Sequence, residues 1–457
     1  MKKIISAIIM LAGTAALFIG CTRTPYPVKM CIMPGDWPDP TIIREGRDYY
    51  MTHSSLANSP GLLIWHSRDL VNWEPVCHAL REAPGTVWAP ELCKVGDTYY
   101  IYFPTEEREN YVITAKSVEG PWSEPVALGV SGFDPGHVMD TDGTRYLYLN
   151  RGRVVRLSSD GMSAIGEPVN VYDGWFYPKD WKTACWCLES PKITKRGEWF
   201  YLVCAEGGTD GPATSHMCVV ARSRSAVGPW ENSPYNPMVH TWSESEPWWS
   251  KGHGTLIEDA SGRWYIVYHG YYKDFHTLGR STILESVEWT EDGWPVLTEK
   301  DGAFFRSNGL TGNYEKMRDA RNPLLWSRFG EEFEGDTLYS MAATDTSYSI
   351  TATFTIGENA AAGAYLFYKG NAFYGKKVST PGNHSIRIIN RNNTAELWYK
   401  GSDGLWVKES ENVDVSDYHH NLYRGFSALR PSYLLHGDAT LDSFEYSQIN
   451  TESSKQD

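Results

Sequence analysis

The chain reads as all-β, a five-bladed β-propeller followed by a C-terminal antiparallel β-sandwich. Three observations predict this: a strand motif recurring about every fifty residues, no convincing amphipathic helix, and a change of texture near residue 328. At 457 residues the chain is also too long for one ordinary core, so more than one domain is expected.

The recurring strands share a polar or glycine lead-in, a bulky pair and an apolar continuation. They are RDYYMTHSS around Tyr49, DTYYIYFPT around Tyr99, TRYLYLNRG around Tyr146, GEWFYLVCAE around Phe200 and GRWYIVYHG around Trp264. Their spacings of 50, 47, 54 and 64 residues are those of a repeat architecture in which each unit is one small sheet. A second motif keeps phase with the first: NWEPV, WSEPV and IGEPV end at Val76, Val126 and Val169. Gly, Asp and Asn turns separate the strands, as in antiparallel hairpins. Four-stranded blades set radially fit this pattern, and the propeller is expected over residues 21–310. An ordinary sandwich would leave the fifty-residue phase unexplained.

From RFGEEFEGD at residue 328 onward cysteine is absent, and SYSITATFTI alternates Ile350, Ala352, Phe354 and Ile356 on one strand face. AYLFYKG, HSIRIINRN and AELWYKG continue the alternation. A β-sandwich is expected over 328–449, with a tail at 450–457.

Composition limits the partner. A formal net charge of −14 argues against nucleic acid and against acidic polymers. The aromatic share of 14%, with 19 Trp and 28 Tyr, suits a neutral carbohydrate whose C–H faces stack on rings. At the N-terminus MKKIISAIIMLAGTAALFIGC has two lysines, an apolar run and small residues before Cys21. This is the pattern of a secretory signal over residues 1–20. Cysteine directly after LFIG resembles a bacterial lipoprotein cleavage site, so Cys21 is the expected lipidation point. The membrane would then be reached only through that lipid, with a periplasm-facing anchor expected from the neutral-to-basic start CTRTPYP. The seven remaining cysteines lack a disulfide-scaffold spacing, and buried thiols with at most one bridge are expected. Cys185-Trp-Cys187 has no accompanying metal-ligand cluster.

The acids carry the chemistry. Ligands of a propeller bind at its axis, where the first strands of all blades converge. Asp39 in WPDPT, Asp134 in GFDPGHVMDTDG and Glu189 in CLESPKI each precede a repeat strand, with proline within two residues. Proline after an acid is expected to hold that acid extended and to remove a competing N–H. Hydrolysis of a glycosidic bond needs one carboxylic acid and one carboxylate, and a third carboxyl can keep the acid protonated. Asp142-Gly143 has the chemistry of a hairpin turn. Asp36, without counterpart in other repeats, reads as loop.

PGDWPDPTII, GFDPGHVMDTDG, ESPKI, AEGGT, ARSRSAVGPWE, KGHGTLIEDASGRWYIVYHG and LGRSTILESVEWTEDGWPVL occur in the order seen in family 43 glycoside hydrolases. The chain resembles the β-xylosidase and α-L-arabinofuranosidase members over about residues 31–300. The resemblance implies inverting hydrolysis that releases terminal pentose from plant cell-wall polysaccharide. It makes Asp39 the general base, Asp134 the pKa modulator and Glu189 the general acid. Base and acid would sit about 6.5–9.5 Å apart. It further implies that Arg280 contacts sugar and acids, and that His253 helps hold a water-linked structural calcium; a hydrogen-bonded core histidine is the alternative. No cofactor is required. Ser281 stands where many xylosidases of the family carry glutamate, and WAPELCKVGDTYYIYF looks closer to the arabinan-acting branch.

Aromatics near the acids are candidate sugar contacts: Trp37, Trp88, Phe133, and Trp175 and Trp181 in YDGWFYPKDWKTACWCLES. Two other readings remain open. One is a retaining enzyme of the sucrose- and fructan-acting kind, although DPTI lacks the expected DPNG-like nucleophile motif. The other is a carbohydrate-binding lipoprotein without catalysis.

Overall fold

The computed structural model describes residues 28–298, 314–330 and 332–450. The expected signal peptide, Cys21 and the tail from residue 451 lie outside the described residues.

Five antiparallel sheets follow one another along the first part of the chain. The first holds Thr41–Glu45, Asp48–Thr52, Gly61–Ser67 and Glu74–Leu80, and the second Glu91–Val95, Thr98–Pro104, Glu109–Ala115 and Val126–Ser131. The third holds Gly136–Met139, Arg145–Leu149, Arg153–Leu157 and Ala164–Asn170. The fourth runs Leu188–Arg196, Trp199–Glu206, Met217–Ser223 and Glu231–Asn232. The fifth holds Trp248–Glu258, Trp264–Tyr272 and Arg280–Trp289, and Lys29–Met33 from the start of the chain completes it. The five recurring aromatic motifs are the second strands of these sheets. Flanked on both sides by partners, they carry the most apolar sequence. The Asp142-Gly143 turn joins the first two strands of the third sheet, with Gly143 at φ +84°.

The first strands of neighbouring sheets touch in a cycle, first to second and so on until the fifth meets the first again. This all-β arrangement is consistent with a propeller. At the meeting level each of the first four sheets carries X-Pro: Asp39-Pro40-Thr41, Ala89-Pro90-Glu91 and Asp134-Pro135-Gly136 at the strand entry, and Ser190-Pro191-Lys192 within the strand. The fifth places His253-Gly254-Thr255 there. The side chains after the prolines tie the sheets together. Lys192 Nζ donates to Glu91 Oε2 at 2.8 Å, to Pro90 O at 2.9 Å and to Pro135 O at 3.2 Å. Thr41 Oγ1 donates to Glu91 Oε2 (3.2 Å) and Thr255 Oγ1 to Pro40 O (3.0 Å). At Gly136 the third strand comes so close that a Cβ would lie 1.7 Å from Pro191 O, so only glycine fits.

The C-terminal part forms a six-stranded and a five-stranded sheet. Ile350, Ala352, Phe354 and Ile356 are buried on one face of Ser347–Ile356, as their alternation predicts. The boundary expected at 328 is not a break in the core. Asn58–Ser59 pairs with Ser327–Phe329 in the six-stranded sheet, and one apolar cluster runs from Trp65 and Tyr265 to Phe354 and Ile386. Asp36, read from sequence as loop, is in a loop but buried: its Oδ2 accepts from Arg430 Nη2 of the C-terminal part at 2.7 Å. No local pattern marks a partner 394 residues away.

The Lys192–Glu91 pair is nearly inaccessible, with side-chain exposures of 2% and 10%. Removing one partner strands a buried charge, which costs about 3–5 kcal/mol. Lys192→Met should therefore lower unfolding free energy in urea by about 3 kcal/mol or more. A loss under ~1 kcal/mol, as at exposed pairs, would contradict this account.

Candidate active site

Asp39, Asp134 and Glu189 line one cavity of about 220 Å³, although 150 residues separate the first from the last. Leu56, Trp88, Ala89, Arg108, Phe133, Thr209, His216, His253, His269, Arg280 and Phe426 complete its wall. The cavity sits where the first strands converge.

The backbone departs from the sequence expectation. Asp39 and Asp134 precede proline but are left-handed, at φ +59° and +54°, not extended. Such conformations cost of order 1–3 kcal/mol each and persist where surroundings over-determine them. Here the Asp39 N–H donates to His269 Nδ1 at 3.1 Å, while its carboxylate takes Arg280 and Ser54. In the fourth sheet the left-handed pre-proline residue is Ser190 (φ +54°), so Glu189 stands one position before the register of the two aspartates. The three acids share a region and a neighbouring proline, not one structural position.

Charge separates their roles. Burial alone would raise the pKa of Asp39, but the Arg280 guanidinium, then His253 and His269, hold it well below the usual carboxylate range. Arg280 Nη1 lies 2.9 Å from Asp39 Oδ1, and Ser54 Oγ donates to Oδ2 at 2.5 Å. Burial also pushes both imidazoles toward their neutral forms, so Arg280 is the lasting positive charge. His269 has a defined tautomer: Nδ1 accepts from Asp39 N, which leaves the proton on Nε2 to donate to Thr209 Oγ1 at 3.0 Å. Asp134 moves the other way. Burial first, and then the negative Asp39, push it up to about 7, against the pull of Lys192. Its Oδ2 accepts from Ser190 N at 3.0 Å, beside Glu189. Glu189 is raised well above the ordinary glutamate value by burial, then by Asp134 and Asp39. One cavity thus holds a carboxyl driven toward its ionised form and another driven toward its neutral form.

Of the remaining expectations, Trp88 and Phe133 line the cavity and meet edge-on with centroids 6.0 Å apart. Arg280 and His253 line it as well. Trp37 does not: it packs edge-on against Trp65, behind the aspartate strand. Trp175 and Trp181 are also outside the lining; they pack on each other and on an apolar cluster of the third and fourth sheets. Their loop reads as pocket wall in sequence because glycine, proline and charges interrupt it, yet the two indoles turn inward to bury their area. Ser281, fully buried, accepts from Gly35 N at 3.2 Å. Among the described residues the cysteines contribute one bridge, Cys185–Cys187.

Sequence reasoning missed Lys192, His269, Thr209 and Phe426. Lys192 sits in the quoted ESPKI and Thr209 in AEGGT, so a signal existed. His269 was hidden within a repeat strand, and Phe426 arrives from the C-terminal part with no local mark.

Calcium binds six to eight oxygens. Among the described residues one group brings metal-ligand atoms together, Asp39, His253 and His269, within 4.8 Å. It offers a single carboxylate, whose oxygens already bind Arg280 and Ser54, and His269 has both nitrogens engaged. His253 Nε2 finds no hydrogen-bond partner, but it lies in the field of the Lys192 ammonium, which opposes further positive charge. The residues do not fit direct coordination of calcium; the orphaned nitrogen fits a water.

The sequence profile described as glycosyl hydrolases family 43 matches residues 28–295. The chain belongs to that family. It is 33% identical over 314 residues to a xylan 1,3-beta-xylosidase of a Vibrio species, covering 58% of this chain and 56% of that protein. It is likewise 33% identical over 297 residues to a non-reducing end alpha-L-arabinofuranosidase of Bacteroides ovatus, covering 59% and 53%. The chain spans about half the length of these curated relatives. A family 43 protein of Bacillus licheniformis superposes with a TM-score of 0.76 at 23% identity, covering 92% of this chain and all of that one. This last likeness speaks to the fold, and it extends over the C-terminal sheets.

Calorimetric titration of the purified protein with Ca²⁺ should give no saturable heat. A one-to-one isotherm lost in His253→Ala would show that the donor set does hold the ion.

Proposed function

We propose that the protein is an inverting glycoside hydrolase that releases terminal pentose, β-D-xylose or α-L-arabinofuranose, from plant cell-wall oligo- and polysaccharides. The observation that carries this reading is the convergence of Asp39, Asp134 and Glu189 on one cavity with the Arg280 guanidinium 2.9 Å from Asp39, which drives Asp39 and Glu189 toward opposite protonation states. Asp39, ionised and held by Arg280, acts as general base on a water. Glu189, protonated, gives its proton to the leaving oxygen. Asp134 keeps Glu189 protonated by like-charge repulsion and fixes its neighbour Ser190 through the backbone. Water attacks the anomeric carbon as the glycosidic C–O bond breaks; Asp39 takes the water proton and Glu189 supplies one to the departing hydroxyl. No metal enters these steps. The small cavity, below the ~300 Å³ of drug-sized sites, favours one terminal sugar and hence exo action. The relatives' xylosidase and arabinofuranosidase activities support the substrate class.

The same reading takes the five sheets as five propeller blades over residues 21–310 and the two C-terminal sheets as a β-sandwich over 328–449. It takes the protein as a lipoprotein anchored through Cys21 and facing the periplasm.

Three outcomes follow. NMR of the first product formed should show the anomer opposite to the substrate's. Glu189→Gln should lose about 10²–10⁴-fold in kcat on a substrate with a poor leaving group, and far less on one with a good leaving group. An unchanged rate would remove Glu189 as the acid. The rate should fall as pH rises through the ionisation of the Asp134–Glu189 pair. Asp134→Asn deletes the negative neighbour that raises Glu189, so this alkaline limb should move to lower pH. A limb that stays in place would deny Asp134 its modulating role.

A further inference from the structure

The loop at 173–187 carries more aromatic surface than the fold uses. Among the described residues the two exposed tryptophans are Trp186, 57% accessible, and Trp242, 64%. Phe176, 72% accessible, stands beside Trp186 with the two rings stacked 6.2 Å apart. Inner rings join these into a ribbon. Tyr177 lies 4.1 Å from Trp186 and stacks on Trp181 at 6.2 Å, and Trp181 meets Trp242 edge-on at 5.5 Å. Folding gains nothing from large rings left in water, and a contiguous exposed apolar patch marks an interaction surface.

The ribbon is held at two points. The Cys185–Cys187 bridge ties the two neighbours of Trp186 to each other. Trp181 stacks flat on His240 at 4.6 Å, and His240 Nε2 is fixed on Thr214 O at 3.0 Å. The loop of the ribbon is tied through its backbone to the wall of the catalytic cavity, although none of its rings lines that cavity. The N–H groups of Ala184 and Cys185 donate to Gly207 O, and Thr209, two residues on, lines that cavity. Trp186 is three residues before Glu189, which puts their backbones within about 11 Å.

We propose that Phe176, Trp186 and Trp242 form a binding platform for the leaving-group side of a neutral polysaccharide. The proposal rests on the hydrolase reading above and adds to it the polymeric part of the substrate. Glu189 protonates the leaving oxygen, so the chain left behind departs on the Glu189 side, where the ribbon begins. Successive sugar rings present C–H faces to the aromatic faces, as flat neutral surfaces suit. The rim, with Lys179, Asp180 and Lys182 exposed, mixes both signs and builds no field for a charged polymer. The structure thus assigns the cavity to the sugar released and the ribbon to the chain retained.

The test compares wild type with Trp186→Ala, Trp242→Ala and the double variant. For each, kcat/KM is measured on a 4-nitrophenyl pentoside and on a pentose oligosaccharide of at least six units. The oligosaccharide-to-aryl ratio should fall about tenfold in the double variant, through KM and not kcat. An unchanged ratio overturns the proposal. Calorimetric binding of the oligosaccharide to Glu189→Gln protein, with and without the tryptophan substitutions, reads the platform independently of turnover. Equal affinity there overturns it too, whereas loss of all turnover with aromatic-dependent binding intact would count against the hydrolase reading alone. Size-exclusion chromatography completes the set. If the substitutions change the oligomeric state while oligosaccharide binding stays the same, the ribbon is a contact between copies of this chain and not a sugar platform.

Discussion

The contact on which the rest of this structure depends is the Lys192 ammonium bound between Glu91 and the carbonyls of Pro90 and Pro135. It links the fourth sheet to the second and third at the level where all first strands meet. Burial of an ammonium and a carboxylate is costly unless their remaining valences are satisfied. Here two carbonyls and the Thr41 hydroxyl satisfy them. Prolines contribute by leaving their carbonyls free while donating no N–H of their own. The strand ends are thereby held at fixed distances, and the residues just before those prolines become the floor of a cavity.

That placement explains why strain and the cavity coincide. Asp39, Asp134, Ser190 and His253 all have φ between +54° and +59°. A left-handed residue within a strand or at its entry breaks the pleat, so side chains from different sheets can turn toward one cavity. The conformational cost is offset by contacts that exist only there, above all Arg280 on Asp39 and the Asp39 N–H on His269. The same crowding sets the protonation states. Three carboxyls share a site in which the Arg280 guanidinium pairs with Asp39, and that carboxyl is driven toward its ionised form while the others are driven toward their neutral forms.

The C-terminal part is joined to this frame and does not merely follow it. Arg430 reaches Asp36, Phe426 lies over Arg280 with 5.0 Å between guanidinium carbon and ring centre, and His78 contacts Leu324 O. The strand Asn58–Ser59 crosses into the C-terminal sheet. The Arg280 that depresses Asp39 is therefore itself capped from outside the five sheets. The cavity is a property of both parts, as the continuous apolar cluster already indicates.

The repeat and the acids were legible in the linear sequence because they are local. A strand buried by partners on both sides shows its bulky pair every fifty residues, and Asp-Pro is visible as two letters. Alternation alone identified the buried face of Ser347–Ile356. What the sequence could not carry was conformation and partnership. Proline predicts an extended predecessor, but contacts from distant strands made Asp39 and Asp134 left-handed and set Glu189 one residue out of register. Asp36 reads as loop because Arg430 lies in another sheet, and Trp175 and Trp181 read as pocket wall because burial direction is decided by neighbours absent from the local stretch. By itself the sequence determined the all-β repeat and which carboxyls would meet in one cavity. Only the tertiary structure decided which carboxyl is ionised and which aromatics face solvent, because both depend on fields and contacts between residues far apart in the chain.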